Sequence, residues 1–259
     1  MNRSLDELFA MLAGGGVTDS LLPPAFSGAL FEGIEKPSEK PICSDSWLCV
    51  ISGFYTDEAL NLSPLPETAR RLFELSANGF KAIVHAWMSE RPIEAAMLRF
   101  SKKLLAAPDR PAAGKIAADR GDPDALTVLE TAYKVWHEVH RLLGFLRFNP
   151  GNKGVYVARC APDHFALPAF GGHFIRRFGE TPWAVIDEKR ELCLYRPAGG
   201  LPKILNLDEI ASLLAVPAAH EWEKLWKHYH KTINNESRNN PALQNQFIPK
   251  RYRKYLPEL

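Results

Sequence analysis

The residues best suited to moving a proton are Asp163 and His164, adjacent in the chain, with His173 further along. A carboxylate beside an imidazole can act as a general acid/base pair, because histidine titrates near neutral pH. The same pattern also serves structure: Asp163 stands just before a predicted helix whose free amides it could cap, and His164 could simply face water. His137-Glu138-Val139-His140 sets two imidazoles three residues apart on one side of a helix, where a ligand from another segment would complete a metal site. It lacks the H-E-x-x-H form. With Arg141 and Arg147 close by, it reads as a polar helix face on a basic surface, and neither a metal nor a cofactor is expected.

The C-terminal run from Arg238 to Tyr255 mixes cations, amides and aromatics, among them Arg238, Gln244, Lys250, Arg251 and Tyr252. Lys and Arg neutralise phosphates, amides bond base edges or backbone, and tyrosines stack on unpaired bases at ~1–3 kcal/mol each. A tail that packs its aromatics on the domain and leaves its charges in water has the same composition. The chain has no G-x-G-x-x-G, G-x-x-x-x-G-K-[ST] or G-x-S-x-G, so dinucleotide binding, P-loop chemistry and the hydrolase elbow lack support. Gly14-Gly-Gly16 follows a predicted helix instead of opening one, which disfavours a phosphate cradle.

The net charge of +2 conceals an uneven distribution. Residues 134–178 hold seven Lys and Arg against two acids, and residues 220–259 hold eight against four, whereas residues 1–60 hold three against nine. The first basic block carries His140, Arg141, Arg147, Arg176 and Arg177; the second carries Arg238, Lys250 and Arg251. If the two blocks meet, they form a basic face suited to a polyanion, although charge runs are also ordinary solvated surface.

The elements that must position these residues follow from caps and periodicity. Ser4-Leu-Asp-Glu7 is a capping box that predicts a helix at 5–13, stopped by Gly14-Gly-Gly16. Residues 21–41 read as an irregular connector, and Trp47–Ile51 as a buried strand. Helices are predicted from Pro66 to Gly79, over 80–88 and from Pro92 to Leu105, followed by a linker over 107–121. Asp122-Pro123 opens a helix reaching Gly144, with Leu126, Leu129, Tyr133, Trp136 and Val139 at helical spacing. Phe145–Phe148, Val155–Cys160, Trp183–Asp187 and Leu192–Tyr195 read as strands, and His164–Phe178 as a helix over one sheet face. A last amphipathic helix spans Glu221–Asn234, with Trp222, Leu225, Trp226, Tyr229 and Ile233 inward.

The fold class is therefore α+β: a small, mostly antiparallel sheet with several packed helices. Residues 1–45 form a divergent N-terminal segment, 46–120 a mainly helical subdomain, and 121–259 an α+β core with a basic tail, separate from or continuous with 46–120. With 259 residues and 46% hydrophobic composition, the chain can bury a substantial core. Four scattered cysteines without C-x-x-C spacing read as buried free thiols in a reducing cytoplasm. The N-terminus carries acids inside its apolar run and no stretch approaches the ~20 apolar residues that cross a bilayer, so neither a signal peptide nor a membrane association is expected.

Six segments together resemble a known family: His137-Glu-Val-His-Arg-Leu-Leu-Gly-Phe-Leu-Arg-Phe148, Tyr156-Val-Ala158, Pro162-Asp-His164, His173-Phe-Ile-Arg-Arg-Phe178, Trp183-Ala-Val-Ile-Asp187 and Asn240-Pro-Ala-Leu-Gln-Asn-Gln-Phe-Ile-Pro-Lys-Arg-Tyr252. The family is an uncharacterised bacterial one, labelled as DNA-metabolism or DNA-repair proteins. Its members are typically encoded beside a radical-SAM protein of DNA modification or repair, and relatives are fused to a uracil-DNA-glycosylase-like domain. The resemblance covers residues 50–259, and residues 1–45 lack the aromatic-Asp-Gly opening strand associated with these proteins. The chain closes at Leu259, soon after Pro-Lys-Arg-Tyr, so no fused glycosylase is expected in it. The resemblance implies DNA repair and a radical-SAM partner, and it carries over no catalytic residue.

Three functions remain in view. The first is an accessory DNA-binding protein using the basic helix at 134–147 and the C-terminal tail. Neutralising ~5 phosphates would give log K a slope near −4.5 against log salt, on single- or double-stranded DNA. The second is an enzyme acting on damaged DNA bases or nucleotides, with Asp163, His164 and His173 around a flipped base. The third is a protein-interaction scaffold for the radical-SAM partner.

Overall fold

The computed structural model describes residues 4–13, 43–56, 59–214, 220–233, 240 and 248–256. The chain folds into two compact units, one built from Met1–Ile51 and Ala59–Trp136, the other from Ser52–Glu58 and His137–Leu259.

The first unit is helical: α1 (Leu5–Ala13), α2 (Asp45–Gly53, as far as Ile51), α3 (Glu67–Leu75), α4 (Ala77–Trp87), α5 (Glu94–Leu105), α6 (Arg110–Ala118) and the first half of α7 (Pro123–Phe145). The capping box at the head of α1 forms in both directions: the Ser4 amide donates to Glu7 Oε2 at 3.1 Å, and the Glu7 amide to Ser4 Oγ at 3.2 Å. The Asp122 carboxylate likewise accepts from the amides of Asp124 and Ala125, both at 2.9 Å, which starts α7 where the sequence marks it. Phe9 stacks on Trp47 with centroids 5.1 Å apart, Trp47 lies 6.0 Å from Phe80, and the buried indole N–H donates to Asp6.

Three sequence expectations are corrected in this unit. Trp47–Ile51 is part of α2 and not a strand, because a short apolar run does not itself distinguish a buried strand from a buried helix. The supposed linker at 107–121 contains α6, opened by Asp109, whose carboxylate accepts from the Ala112 amide at 2.8 Å, and by Pro111. Gly79 does not end a helix; Ser76 divides α3 from α4, and its hydroxyl accepts from the Gly79 amide within the first turn of α4.

The second unit is built on a five-stranded sheet in the order β1 (Asn149–Pro150), β2 (Tyr156–Cys160), β3 (Trp183–Asp187), β4 (Leu192–Arg196) and β5 (Lys203–Asn206). The pair β2–β3 is parallel, running from Tyr156↔Trp183 to Cys160↔Asp187, and the other pairs are antiparallel. A parallel pair needs a crossover, supplied by α8 (Leu167–Phe178). α8 covers one sheet face, where Phe174 meets Trp183 at 5.8 Å and Phe148 at 4.8 Å. On the other face, Ile210 and Leu214 of α9 (Leu207–Leu214) join Val157, Ala184, Ile186 and Cys193. β3 is buried along its whole length, as expected of a strand covered on both faces.

Gly171 and Gly172 sit mid-helix in α8 because the Ser52 segment crosses there. A Cβ at Gly172 would stand 2.3 Å from the Ser52 carbonyl oxygen, and the Ser52 hydroxyl donates to the Pro168 carbonyl at 2.9 Å. Phe145–Phe148 is not a strand, since α7 runs to Phe145. α10 (His220–Ile233) forms nearly where predicted, but Leu225, Tyr229 and Ile233 are exposed at 57%, 51% and 58%, not inward; the side chains of Trp222 and Trp226 lie outside the described residues. A last short helix, α11 (Lys250–Arg253), follows. Cys43, Cys160 and Cys193 are buried free thiols, whereas Cys49 is exposed. Among the described residues, no helix is long and apolar enough to cross a membrane.

Candidate nucleic-acid interface

The second unit is organised around one buried acid. Glu138 on α7 is 5% exposed, and its carboxylate collects four donors from two distant segments. Oε1 accepts from the Asp163 amide at 2.9 Å, from Arg251 at 3.1 Å and from the Tyr252 hydroxyl; Oε2 accepts from the His164 amide at 2.8 Å. Burial pushes the Glu138 carboxyl up, but the Tyr252 hydroxyl and the two amides outweigh burial and hold it below the ordinary glutamate value. A buried anion is tolerated when its lone pairs are satisfied in this way.

The other side of the same loop is held by the turn after β3. Arg190 donates to the carbonyls of Pro162 at 3.2 Å and Asp163 at 3.0 Å, and Lys189 donates to the Asp163 carbonyl at 3.2 Å. Arg190 is itself anchored at 2.7 Å by Asp187, which is fully buried. The loop 162–164 is therefore gripped on its amides by an acid and on its carbonyls by cations.

α11 and the residues after it dock on this frame through a second carboxylate. Glu188 accepts from Tyr255 at 2.5 Å and Lys254 at 3.1 Å, and pairs with Arg159 at 3.6 Å. Arg251 bridges Glu138 and Asp163, the latter at 2.6 Å, and lies over the Tyr252 ring. Tyr252 is 1% exposed, with its ring 5.9 Å from Phe145.

The candidate residues thus occupy different environments. Asp163 does not cap α8, whose N-cap is Ala166; its carboxylate faces Arg251. His173 lies in the middle of α8, edge-on to Phe174, and burial with the nearby Arg177 and Arg176 charges lowers its pKa. Arg176 donates to the Tyr55 carbonyl at 2.8 Å, and Arg177 lies over the Phe178 ring. Arg147 donates to the Gly144 carbonyl at the end of α7. His140, Arg141 and Lys250 are exposed. Arg238 and Gln244 lie outside the described residues.

The residues that organise the site were mostly not singled out in the sequence. Glu138 appeared there within a metal-ligand pattern and a family-like segment, with no role of its own; among the described residues no three metal-ligating side chains cluster. Asp187, Glu188 and Arg190 carried no signal of their own, and Tyr255 stood only within the C-terminal run. One clue was present: Glu138 and Asp163 are the two acids in a block of seven cations, and acids so placed are natural partners for buried or bridging charge.

The model of a protein family described as a domain of unknown function, DUF4130, matches residues 94–258. No curated protein and no solved structure matches the chain.

Proposed function

The chain belongs to the DUF4130 family over residues 94–258, and from that premise we propose that it is a DNA-repair or DNA-metabolism protein that binds nucleic acid and works with a radical-SAM partner. The observation that carries the nucleic-acid part is the contact between the two basic blocks. Arg251 reaches Glu138, which lies 113 positions earlier in the chain, so α11 and the basic half of α7 belong to one frame. Glu138, Asp163, Asp187 and Glu188 engage Arg251, Arg190 and Lys254, which become structural cations. Exposed cations such as Arg141, Arg177 and Lys250 are left to face phosphate.

With Arg251 committed to two carboxylates, about four phosphates are neutralised, and log K falls against log salt with a slope of about −3.6. Anisotropy of a labelled oligonucleotide, single-stranded and duplex, measures this directly. Arg141→Glu with Lys250→Glu should weaken binding and flatten the slope. No binding at low salt, or an affinity indifferent to salt, removes the proposal.

A second reading, a scaffold for the partner, is favoured by the outward stripe Leu225, Tyr229 and Ile233 on α10. Leu225→Asp with Tyr229→Asp should abolish co-purification with the radical-SAM protein and leave DNA affinity unchanged. Unaltered co-purification rejects this role for α10.

A further inference from the structure

Arg251 holds its two carboxylates unequally. Its Nη2 donates to the buried Glu138 at 3.1 Å and to the Tyr252 hydroxyl at 2.9 Å. Its Nη1 meets Asp163 at 2.6 Å, where the two side chains are 44% and 54% exposed. A buried ion pair is costly to break, whereas an exposed one shifts an equilibrium by no more than about fivefold. The Nη1 contact is therefore exchangeable and the Nη2 contact is not.

The exchangeable contact lies where loops converge. The loop 162–164 follows β2 and the turn 187–190 follows β3, so both stand at the carboxyl ends of the parallel pair among the described strands, the end at which open α/β sheets take ligands. Three cations meet on Asp163: Arg251 on its carboxylate, and Lys189 and Arg190 on its carbonyl oxygen at 3.2 and 3.0 Å. They are matched by Asp163 itself, by Asp187 on Arg190 and by Glu138 on Arg251. Glu188, next to Lys189 in the chain, is taken up by Lys254 and Tyr255. Of the three matching acids, Glu138 and Asp187 are buried and Asp163 is exposed. Displacing the Asp163 carboxylate turns a balanced loop into a positive one.

We propose that Asp163 is an internal stand-in for a phosphate group: its carboxylate closes an anion site between Arg251 and Lys189, and a phosphate displaces it. A tetrahedral phosphate spreads its oxygens over the guanidinium edge and the ammonium, whereas another carboxylate only repeats the contact that Asp163 already makes. The loop need not move for this exchange. Its amides are held by Glu138 at 2.9 and 2.8 Å and its carbonyls by Lys189 and Arg190, so the Asp163 side chain turns on a fixed backbone. The phosphate comes from either of two sources, a free phosphate group or the backbone of a nucleic acid, and only the second rests on the function proposed above.

NMR titration of inorganic phosphate into the full chain at constant ionic strength should shift the Asp163 and His164 amides saturably. Asp163→Asn should tighten phosphate by about fivefold or more, since an exposed ion pair and a like charge are both removed. Glu180→Gln makes the same change of net charge at an exposed position before the amino end of β3. The length of that strand exceeds the screening length, so affinity should change by less than about twofold. Adding Arg251→Lys or Lys189→Ala to Asp163→Asn should remove the gain, with circular dichroism reporting the fold. On a duplex oligonucleotide, Asp163→Asn should steepen the salt slope from about −3.6 to about −4.5, as one more phosphate is neutralised. An unchanged slope with tighter inorganic phosphate assigns the site to a free phosphate group. Phosphate binding without DNA binding upholds the site and removes the nucleic-acid function. The proposal is overturned if inorganic phosphate moves neither amide in wild type, if folded Asp163→Asn binds it no more tightly, or if Glu180→Gln tightens it equally.

Discussion

Glu138 gives the clearest case of a single residue whose environment defines its role. Its carboxylate satisfies two amides, a phenol and a guanidinium, so truncation would strand the two amides and the phenolic hydrogen and leave Arg251 with Asp163 as its carboxylate partner. Glu138→Ala should destabilise the protein by about 3–5 kcal/mol in chemical denaturation, as expected when one partner of a buried ion pair is removed. A change within about 0.5 kcal/mol of wild type would show the hub to be dispensable. The pH dependence has a definite sign. The folded-state pKa of Glu138 lies below its ordinary value, so its stabilisation is present above that value and is lost as pH falls through the folded pKa. His85 acts earlier in an acid titration. Burial lowers its pKa to about 4, so between the ordinary histidine value of 6.5 and that point the unfolded chain holds a proton that the folded chain refuses. Stability should therefore decline across that window, by up to about 1.4 kcal/mol per pH unit, and His85→Gln should flatten the decline.

At the scale of elements, α7 and α8 show how packing overrules local preference. α7 carries two apolar stripes with helical periodicity, and the sequence pattern favoured the one with the larger side chains, Tyr133 and Trp136. The core instead takes the smaller set, Ala125, Val128, Ala132 and Val135, together with Val139 from the expected stripe. Val135→Ala should accordingly cost about 2 kcal/mol in thermal or chemical unfolding, and Trp136→Ala less than about 0.5 kcal/mol. The reverse order would mean that the stripes are misassigned. In α8, Gly172→Ala tests whether close approach outweighs propensity. Alanine favours a helix by ~1 kcal/mol, but its Cβ would meet the Ser52 carbonyl oxygen at 2.3 Å, and backbone cannot yield cheaply. The variant should melt at a lower temperature than wild type; a higher one would show that the segment moves aside.

At the scale of the whole molecule, residues 250–256 of the basic C-terminal run are part of the second unit's frame. Tyr252 and Leu256 are buried, and Arg251, Lys254 and Tyr255 engage Glu138, Asp163 and Glu188. A chain ending before Ile248 takes Arg251 from Glu138 and Asp163, leaves Glu188 with Arg159 alone, and should unfold at lower denaturant concentration, measured by far-UV circular dichroism. Unchanged stability would show the docking to be energetically idle. What the sequence determined by itself is whatever depends on near neighbours. The capping box fixed α1, Asp122 and Pro123 the start of α7, and the apolar runs at Trp183–Asp187 and Leu192–Tyr195 the central hairpin. The α+β class follows from those local signals. Only the tertiary structure decided that Trp47–Ile51 is helical, that Tyr133, Trp136, Leu225, Tyr229 and Ile233 face outward, and that a glutamate within a histidine motif anchors a segment 113 positions away. Caps and periodicity act over a few residues and are written in them. Which face is covered, and which distant cation meets a buried acid, depends on chain segments that no local window contains.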